Sequence, residues 1–90
     1  MDGLRLDKWL WFARFYKSRS LAQRTIEGGA VLLNGRPAAK ADAARVGDQV
    51  EIPLGRIRRR VVILALGQRR GPAPEAALLY RHIADLEMDM

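Results

Sequence analysis

The hydrophobic period of this sequence changes at Gly28-Gly29, and that single switch divides what the chain can fold into. Before it, Leu6, Trp9, Leu10 and Ala13 follow one another at spacings of 3, 1 and 3, one face of a helix of period 3.6, with Arg5, Lys8 and Phe12 off the stripe. Tyr16 to Ser20 then reads as a break. Ser18 or Ser20 can cap a second helix, and Ser20 followed by Gln23 fits a capping box. Leu21, Ala22, Thr25 and Ile26 form the inner face of that helix, and Gly28-Gly29 suits its left-handed C-terminal cap. Two short helices joined by a basic turn are predicted over residues 5–28.

After the glycines the period is 2. Val31 and Leu33 alternate with Leu32 and Asn34, and Asn34-Gly35 is a tight-turn signal because both residue types tolerate positive φ. Pro37 confines any following strand to an edge or a bend. Residues 38–45 read as a loop, Val46-Gly47-Asp48 as a turn, and Gln49 to Ile52 as a strand with Val50 and Ile52 on one face. A last, longest strand covers about Ile57 to Leu66. Pro74 suits the first turn of a third helix, whose core stripe is Ala76, Leu79, Ile83 and Leu86, and the terminal Asp-Leu-Glu-Met-Asp-Met is expected to fray. The fold class is therefore α+β: two short N-terminal helices on a small, mainly antiparallel sheet, followed by a C-terminal helix.

A chain of 90 residues is one domain, with no room for a second, catalytic one. Its 16 basic residues exceed the acids by 6, and 13 of the 16 are Arg, whose planar fork holds phosphate bidentately and stacks on bases. With a pI near 10.8, the implied partner is a polyanion. The absence of cysteine removes disulfides, thiolate catalysis and Cys-ligated zinc, and the single histidine, His82, is too little for a His-based metal site. No cofactor is expected. The charged start is not a secretory signal, and the longest apolar run, Val61 to Leu66, is far short of a membrane span, so a soluble, cytoplasmic protein is expected.

The charge is concentrated in two stretches. Residues 1–26 carry Arg5, Lys8, Arg14, Lys17, Arg19 and Arg24 against Asp2 and Asp7, and residues 56–70 carry six Arg and no acid. The first stretch interleaves its cations with Trp11, Phe12, Phe15 and Tyr16 and the hydroxyls of Ser18 and Ser20. That mixture suits RNA, because cations and hydroxyls take phosphate oxygens while exposed rings stack on unpaired bases. The run Arg58-Arg59-Arg60 admits two uses, phosphate contact or protection of an edge strand. Acid–base catalysis lacks a paired site: Asp7, Glu27, Asp42, Asp48 and Glu51 are scattered over turn and helix positions, and Asp7 fits a first-turn residue that favours the helix dipole. There is no phosphate-binding glycine loop and no metal-ligand spacing.

Several separated motifs together carry a resemblance: Arg5-Leu6-Asp7-Lys8-Trp9-Leu10, the run Ala13 to Ala22, Ile26-Glu27-Gly28-Gly29 with Val31, and Asn34-Gly35. In this order they resemble the RNA-binding domain typified by small-subunit ribosomal protein S-four. Lys8-Trp9-Leu10-Trp11, Ala13 to Lys17, and Gln68-Arg69-Arg70 with Glu75 to Tyr80 further resemble the ribosome-associated heat shock protein 15 family. The resemblance implies a single domain, with residues 5–53 as the motif core and 54–87 as a long strand and C-terminal helix. It also implies binding to ribosomal RNA on a large ribosomal subunit whose stalled nascent chain is still attached to tRNA. Apart from the resemblance, a monomer with no enzymatic activity is expected. Carried over by position, the RNA-binding residues are Arg5, Lys8, Arg14, Lys17, Ser18, Arg19, Ser20, Arg24, Asn34, Gly35 and, in the following loop, Lys40. Reversing Lys17 and Arg19 to Glu is expected to abolish binding without unfolding the domain. Family members continue into a long basic C-terminal extension where this sequence ends in acids, which implies lower affinity or subunit specificity.

Two other functional classes fit parts of the pattern. The third helix and the Arg58 to Arg60 strand could serve as a protein-interaction module for an acidic partner, which nuclease-resistant pull-downs would reveal. Two short helices joined by a turn also resemble a helix-turn-helix that binds double-stranded DNA, which competition between duplex DNA and A-form RNA would separate.

Overall fold

The computed structural model describes residues 3–87. A short strand β1 (Leu4–Arg5) leads directly into helix α1 (Leu6–Phe12), followed after a turn by α2 (Arg19–Glu27). Both helices end in the same way. In α2, Gly29 takes φ +80, its N–H donates to the Ile26 carbonyl, and Ala30 N–H donates to Thr25, which is a Schellman motif. In α1 the equivalent left-handed position is Arg14, φ +66, with Arg14 N–H on Trp11 and Phe15 N–H on Leu10. A residue with a Cβ is disfavoured in this conformation, so the α1 stop was not visible as a glycine. Ser18, not Ser20, is the N-cap of α2: its Oγ accepts from Leu21 N–H at 3.1 Å.

The sheet strands are β2 (Leu32–Leu33), β3 (Arg36–Pro37), β5 (Gln49–Leu54), β6 (Ile57–Ile63) and β7 (Tyr80–Glu87), in the order β3-β2-β5-β6-β7 and antiparallel throughout. Asn34 and Gly35 both take positive φ, 53° and 87°, the geometry of a two-residue hairpin turn whose twist matches its strands. Pro37 lies on the edge strand, where its missing N–H leaves no ladder bond unmade. A further strand, β4 (Ala43–Ala44), pairs with β1 inside the stretch expected to be a loop, and fastens the start of α1 to it. Two alanines carry too weak a strand signal to announce a pairing this short.

The third helix is much shorter than its apolar spacing suggested. Helix α3 (Ala73–Ala76) passes through a 3₁₀ turn at Ala77–Leu79, and the chain then extends as β7 along β6. Ile83 and Leu86 thus belong to a strand, and β6 is not the last one. Two features explain the reversal. The open side of β6 offers a row of unpaired backbone groups to the next segment, and a register shift opposite Arg60 and Val61 leaves Ile83 outside the pairing. That extra residue breaks strict alternation and leaves a spacing that imitates a helix. Asp85 to Glu87 are in β7, and the remainder of the expected frayed tail, with Met1 and Asp2, lies outside the described residues.

The core lies between the helix pair and the sheet: Leu6, Trp9, Leu10, Ala13, Ala22 and Ile26 meet Val31, Val50, Ile52, Val61 and Ile63. Phe12, off the expected stripe, is buried as well. Trp9 is fully buried with its indole N–H donated to the Ala65 carbonyl at 2.9 Å, so it anchors α1 to the end of the sheet and satisfies its one polar atom. This packing fixes where the α1–α2 junction faces.

Candidate nucleic-acid interface

At that junction a fully buried carboxylate collects the cations. Asp7, in the first turn of α1, accepts from Arg5 Nη2 at 3.0 Å and Gln23 Nε2 at 2.9 Å, and Arg19 Nη2 lies 3.4 Å from its other oxygen. Burial pushes the Asp7 carboxyl upward, but the hydrogen bonds from Gln23 and Arg5 and the charges of Arg19 and Arg5 together outweigh it and hold the group below its usual range. Arg5 and Arg19 keep 44% and 39% of their side-chain surface exposed, so two guanidiniums are held in place yet face water. Arg5 also donates to the Lys40 carbonyl, and Lys40 Nζ lies 3.4 Å from Glu27, which ties the post-hairpin loop to both helices. Two positive groups on one negative group leave a net cation whose side chains are already ordered, which lowers the entropy cost of meeting a phosphate.

Around this cluster the remaining expected residues divide. Lys17, Ser20 and Arg24 are exposed and, among the described residues, their side chains form no ion pair or hydrogen bond. Ser18 uses its oxygen at the cap and retains its O–H to donate. Lys8 lies over the Phe12 ring at 5.5 Å, a placement that keeps the ammonium near α1. Arg14 donates from Nε to the Gly71 carbonyl at 2.6 Å. The Asn34 amide is committed inward, donating to Asp48 and accepting from Gln49 N–H, so the turn offers shape and the Gly35 backbone rather than a free amide.

The aromatic side chains do not form a stacking surface. Phe12 and Tyr16 are buried, Phe15 packs on Tyr80 at 4.8 Å between ring centres, and half-buried Trp11 is covered by Arg70 at 5.6 Å. A domain this small spends its large rings on the core. What remains outward on α1 and α2, Glu27 apart, is mainly cations and hydroxyls, groups suited to phosphate rather than to bases.

The arginine run is also different from expectation. Strand β6 is interior to the sheet, so its run protects no edge. Arg60 donates to Glu51 at 3.0 Å, Arg58 donates to the Ala30 carbonyl at 2.8 Å and approaches Glu51, and Arg59 holds Asp85 with two hydrogen bonds. Those bonds, with one from His82, lower the Asp85 carboxyl to about 2.

The residues overlooked in the sequence are the ones that position others. Asp7 reads as a helix-dipole acid and Gln23 as a capping-box partner, whereas Asp7 holds the two arginines and Gln23 holds Asp7. An acid beside the apolar stripe, between arginines, is the signal that could have marked it. Arg70 is the other: it donates to the Trp11 carbonyl at 3.1 Å and to Tyr16, satisfying carbonyls at the end of α1 and in the α1–α2 linker. Among the described residues no group of His, Cys, Asp or Glu is arranged to hold a metal, and no helix is long and apolar enough to cross a membrane.

Comparison with known proteins agrees with this geometry. Residues 4–50 match the S4 domain, a stretch that contains both helices, the hairpin and the loop beneath it. The chain is 44% identical over 82 residues to heat shock protein 15 of Escherichia coli K12, covering 91% of this chain and 62% of that protein, so it spans less than two thirds of that relative. It is 30% identical over 86 residues to the RQC P-site tRNA stabilizing factor of Streptococcus pneumoniae, covering 96% of this chain and 97% of that one. The trimeric structure of heat shock protein 15 from Vibrio cholerae superposes with a TM-score of 0.87 at 43% identity, over 92% of this chain and 84% of that one. The chain therefore belongs to the S4-domain family, within its heat shock protein 15 group.

Proposed function

We propose that this protein docks on structured ribosomal RNA of the large subunit, on subunits whose stalled nascent chain remains on tRNA, and acts in their rescue or recycling. The observation that carries the reading is the cationic face of the helix pair, where Asp7 holds Arg5 and Arg19 ready and Lys17, Ser20 and Arg24 stand free beside them. The relatives' names, one of them a P-site tRNA stabilizing factor, support a ribosomal RNA partner and hence a cytoplasmic place of action. The work is positional: phosphates are neutralised, backbone shape is matched, and no covalent bond changes. Contact with about six phosphates gives a slope of log affinity on log salt of about −4 to −5. The protein acts as a monomer; the trimer of the V. cholerae relative is the alternative that sizing in solution would reveal.

Sucrose-gradient sedimentation of the tagged protein tests the reading. Co-migration with free large subunits at low salt, weakened when nascent chains are released, is the expected result. Migration only at the top of the gradient would contradict it. The acidic-protein reading is disfavoured by the internal pairing of Arg58, Arg59 and Arg60 and by the replacement of its recognition helix with a strand.

A further inference from the structure

A second site with free arginines borders the start of α1, where the Asp42 carbonyl accepts from Leu6 N–H and Ala43 pairs with Arg5; two arginines and two aspartates line it. The β2–β3 hairpin and the segment from Asp42 to Asp48 border a half-open cleft of about 340 Å³, at the small end of ligand-sized clefts. Arg36 and Arg45 line it. Both are exposed, and among the described residues neither side chain makes an ion pair or hydrogen bond, in contrast to Arg5, Arg19, Arg58, Arg59, Arg60 and Arg69.

The acids of the same cleft explain why these arginines stay open. Asp48 is occupied by Arg45 N–H at 2.9 Å and by the Asn34 amide at 3.0 Å, and Asp42 accepts from Ala39 N–H at 2.8 Å through one oxygen only. Asp48 is thus spent on shaping the loop, Asp42 is used through one oxygen, and neither guanidinium pairs with them. The walls are also fixed: Asn34 bridges to Asp48 and Gln49, and the hairpin turn is held by two positive-φ residues. Leu33 and Pro37 supply apolar wall, and the second oxygen of Asp42 remains an acceptor without a partner among the described residues.

We infer that this cleft holds one unpaired nucleotide of the bound RNA, with its phosphates on Arg36 and Arg45, its base against Leu33 and Pro37, and an amino group on the base donating to Asp42. The inference rests on the RNA-binding reading above but is independent of the α1–α2 contacts. It divides the labour between two surfaces: the helix pair reads the backbone of a folded RNA, and the cleft reads a single-stranded neighbour, where an unstacked base exposes its edge. Cytosine is a suitable probe because its N4 amine donates to a carboxylate.

The test compares a blunt RNA hairpin with the same hairpin carrying a 3′ overhang of four cytidines, using fluorescence anisotropy at fixed salt. The full chain should bind the overhang form about tenfold more tightly, as expected for one added phosphate-and-base contact set. The double variant Arg36→Gln/Arg45→Gln should lose that preference and keep its affinity for the blunt hairpin within about twofold. Its circular dichroism should match the wild type, because neither side chain holds the fold together. No preference in the wild type, or a preference that survives in the double variant, overturns the inference and leaves the helix-pair reading standing. Binding to neither RNA overturns both.

Discussion

The two arginine-rich stretches look alike in sequence and do opposite things in the fold. Residues 56–70 contain six Arg and no acid, yet Glu51, Asp85 and Glu75 are brought to Arg58, Arg60, Arg59 and Arg69 from elsewhere in the chain. Residues 1–26 contain acids of their own, yet Asp7 is shared by two arginines and Lys17 and Arg24 remain without ion-pair partners among the described residues. The stretch with no acid of its own has four of its six arginines paired, and the stretch with acids of its own keeps cations free. Cation density along a sequence locates a binding surface only after the fold has assigned partners.

The sharpest way to break this contrast is charge reversal. Lys17→Glu/Arg24→Glu should weaken RNA binding about 100-fold at moderate salt, while the thermal midpoint moves by no more than about 4 °C. Arg19 is better left out of this variant, because a Glu there would face Asp7 and confound binding with stability. In the other region, Arg58→Gln/Arg60→Gln should leave RNA affinity within about twofold and lower stability by about 1–3 kcal/mol, since Glu51 loses its partners. Filter binding and urea denaturation of both variants check the pair.

Asp7 gives the next largest effect. Asp7→Ala raises the net charge yet should reduce RNA affinity about fivefold, because Arg5 and Arg19 lose the group that orders them. Stability should fall by about 1–3 kcal/mol. The sign with pH follows from the depressed carboxyl: its contribution is complete above the ordinary value of 3.8 and is lost as pH falls through the lower folded value. Acid denaturation followed by circular dichroism should therefore be steeper in the wild type than in Asp7→Asn over that range. Arg14→Gly removes one cation but suits the left-handed position at the end of α1; strain relief and the lost bond to Gly71 should offset to within about 0.5 kcal/mol. Any loss of RNA affinity then reports the side chain alone. Asp85→Asn is the smallest: Asp85 titrates at about 2, so the wild type's advantage should vanish only in strong acid and RNA binding should be unchanged.

Most of the fold was readable because local chemistry and tertiary packing agree. Gly29 ends α2, Asn34-Gly35 turns the hairpin, Pro37 sits at an edge, and Val50 and Ile52 point into the core. The failures have one physical source, which is information held by distant partners. Tyr80 to Glu87 is extended because β6 offers backbone pairing, and no property of that segment alone says so. Asp7 needs Arg19 and Gln23, one helix away, before its role is visible. Charge density marked the cations of both stretches, but whether each is paired or free depended on acids up to 26 residues distant.

The salt dependence of RNA affinity in two matched variants tests this contrast most directly. Lys17→Gln/Arg24→Gln should make the slope of log affinity on log salt shallower by about 1.5 to 2, and Arg58→Gln/Arg60→Gln should leave it unchanged. A shallower slope in the β6 variant with none in the helix-pair variant would contradict the account and move the RNA surface to the sheet.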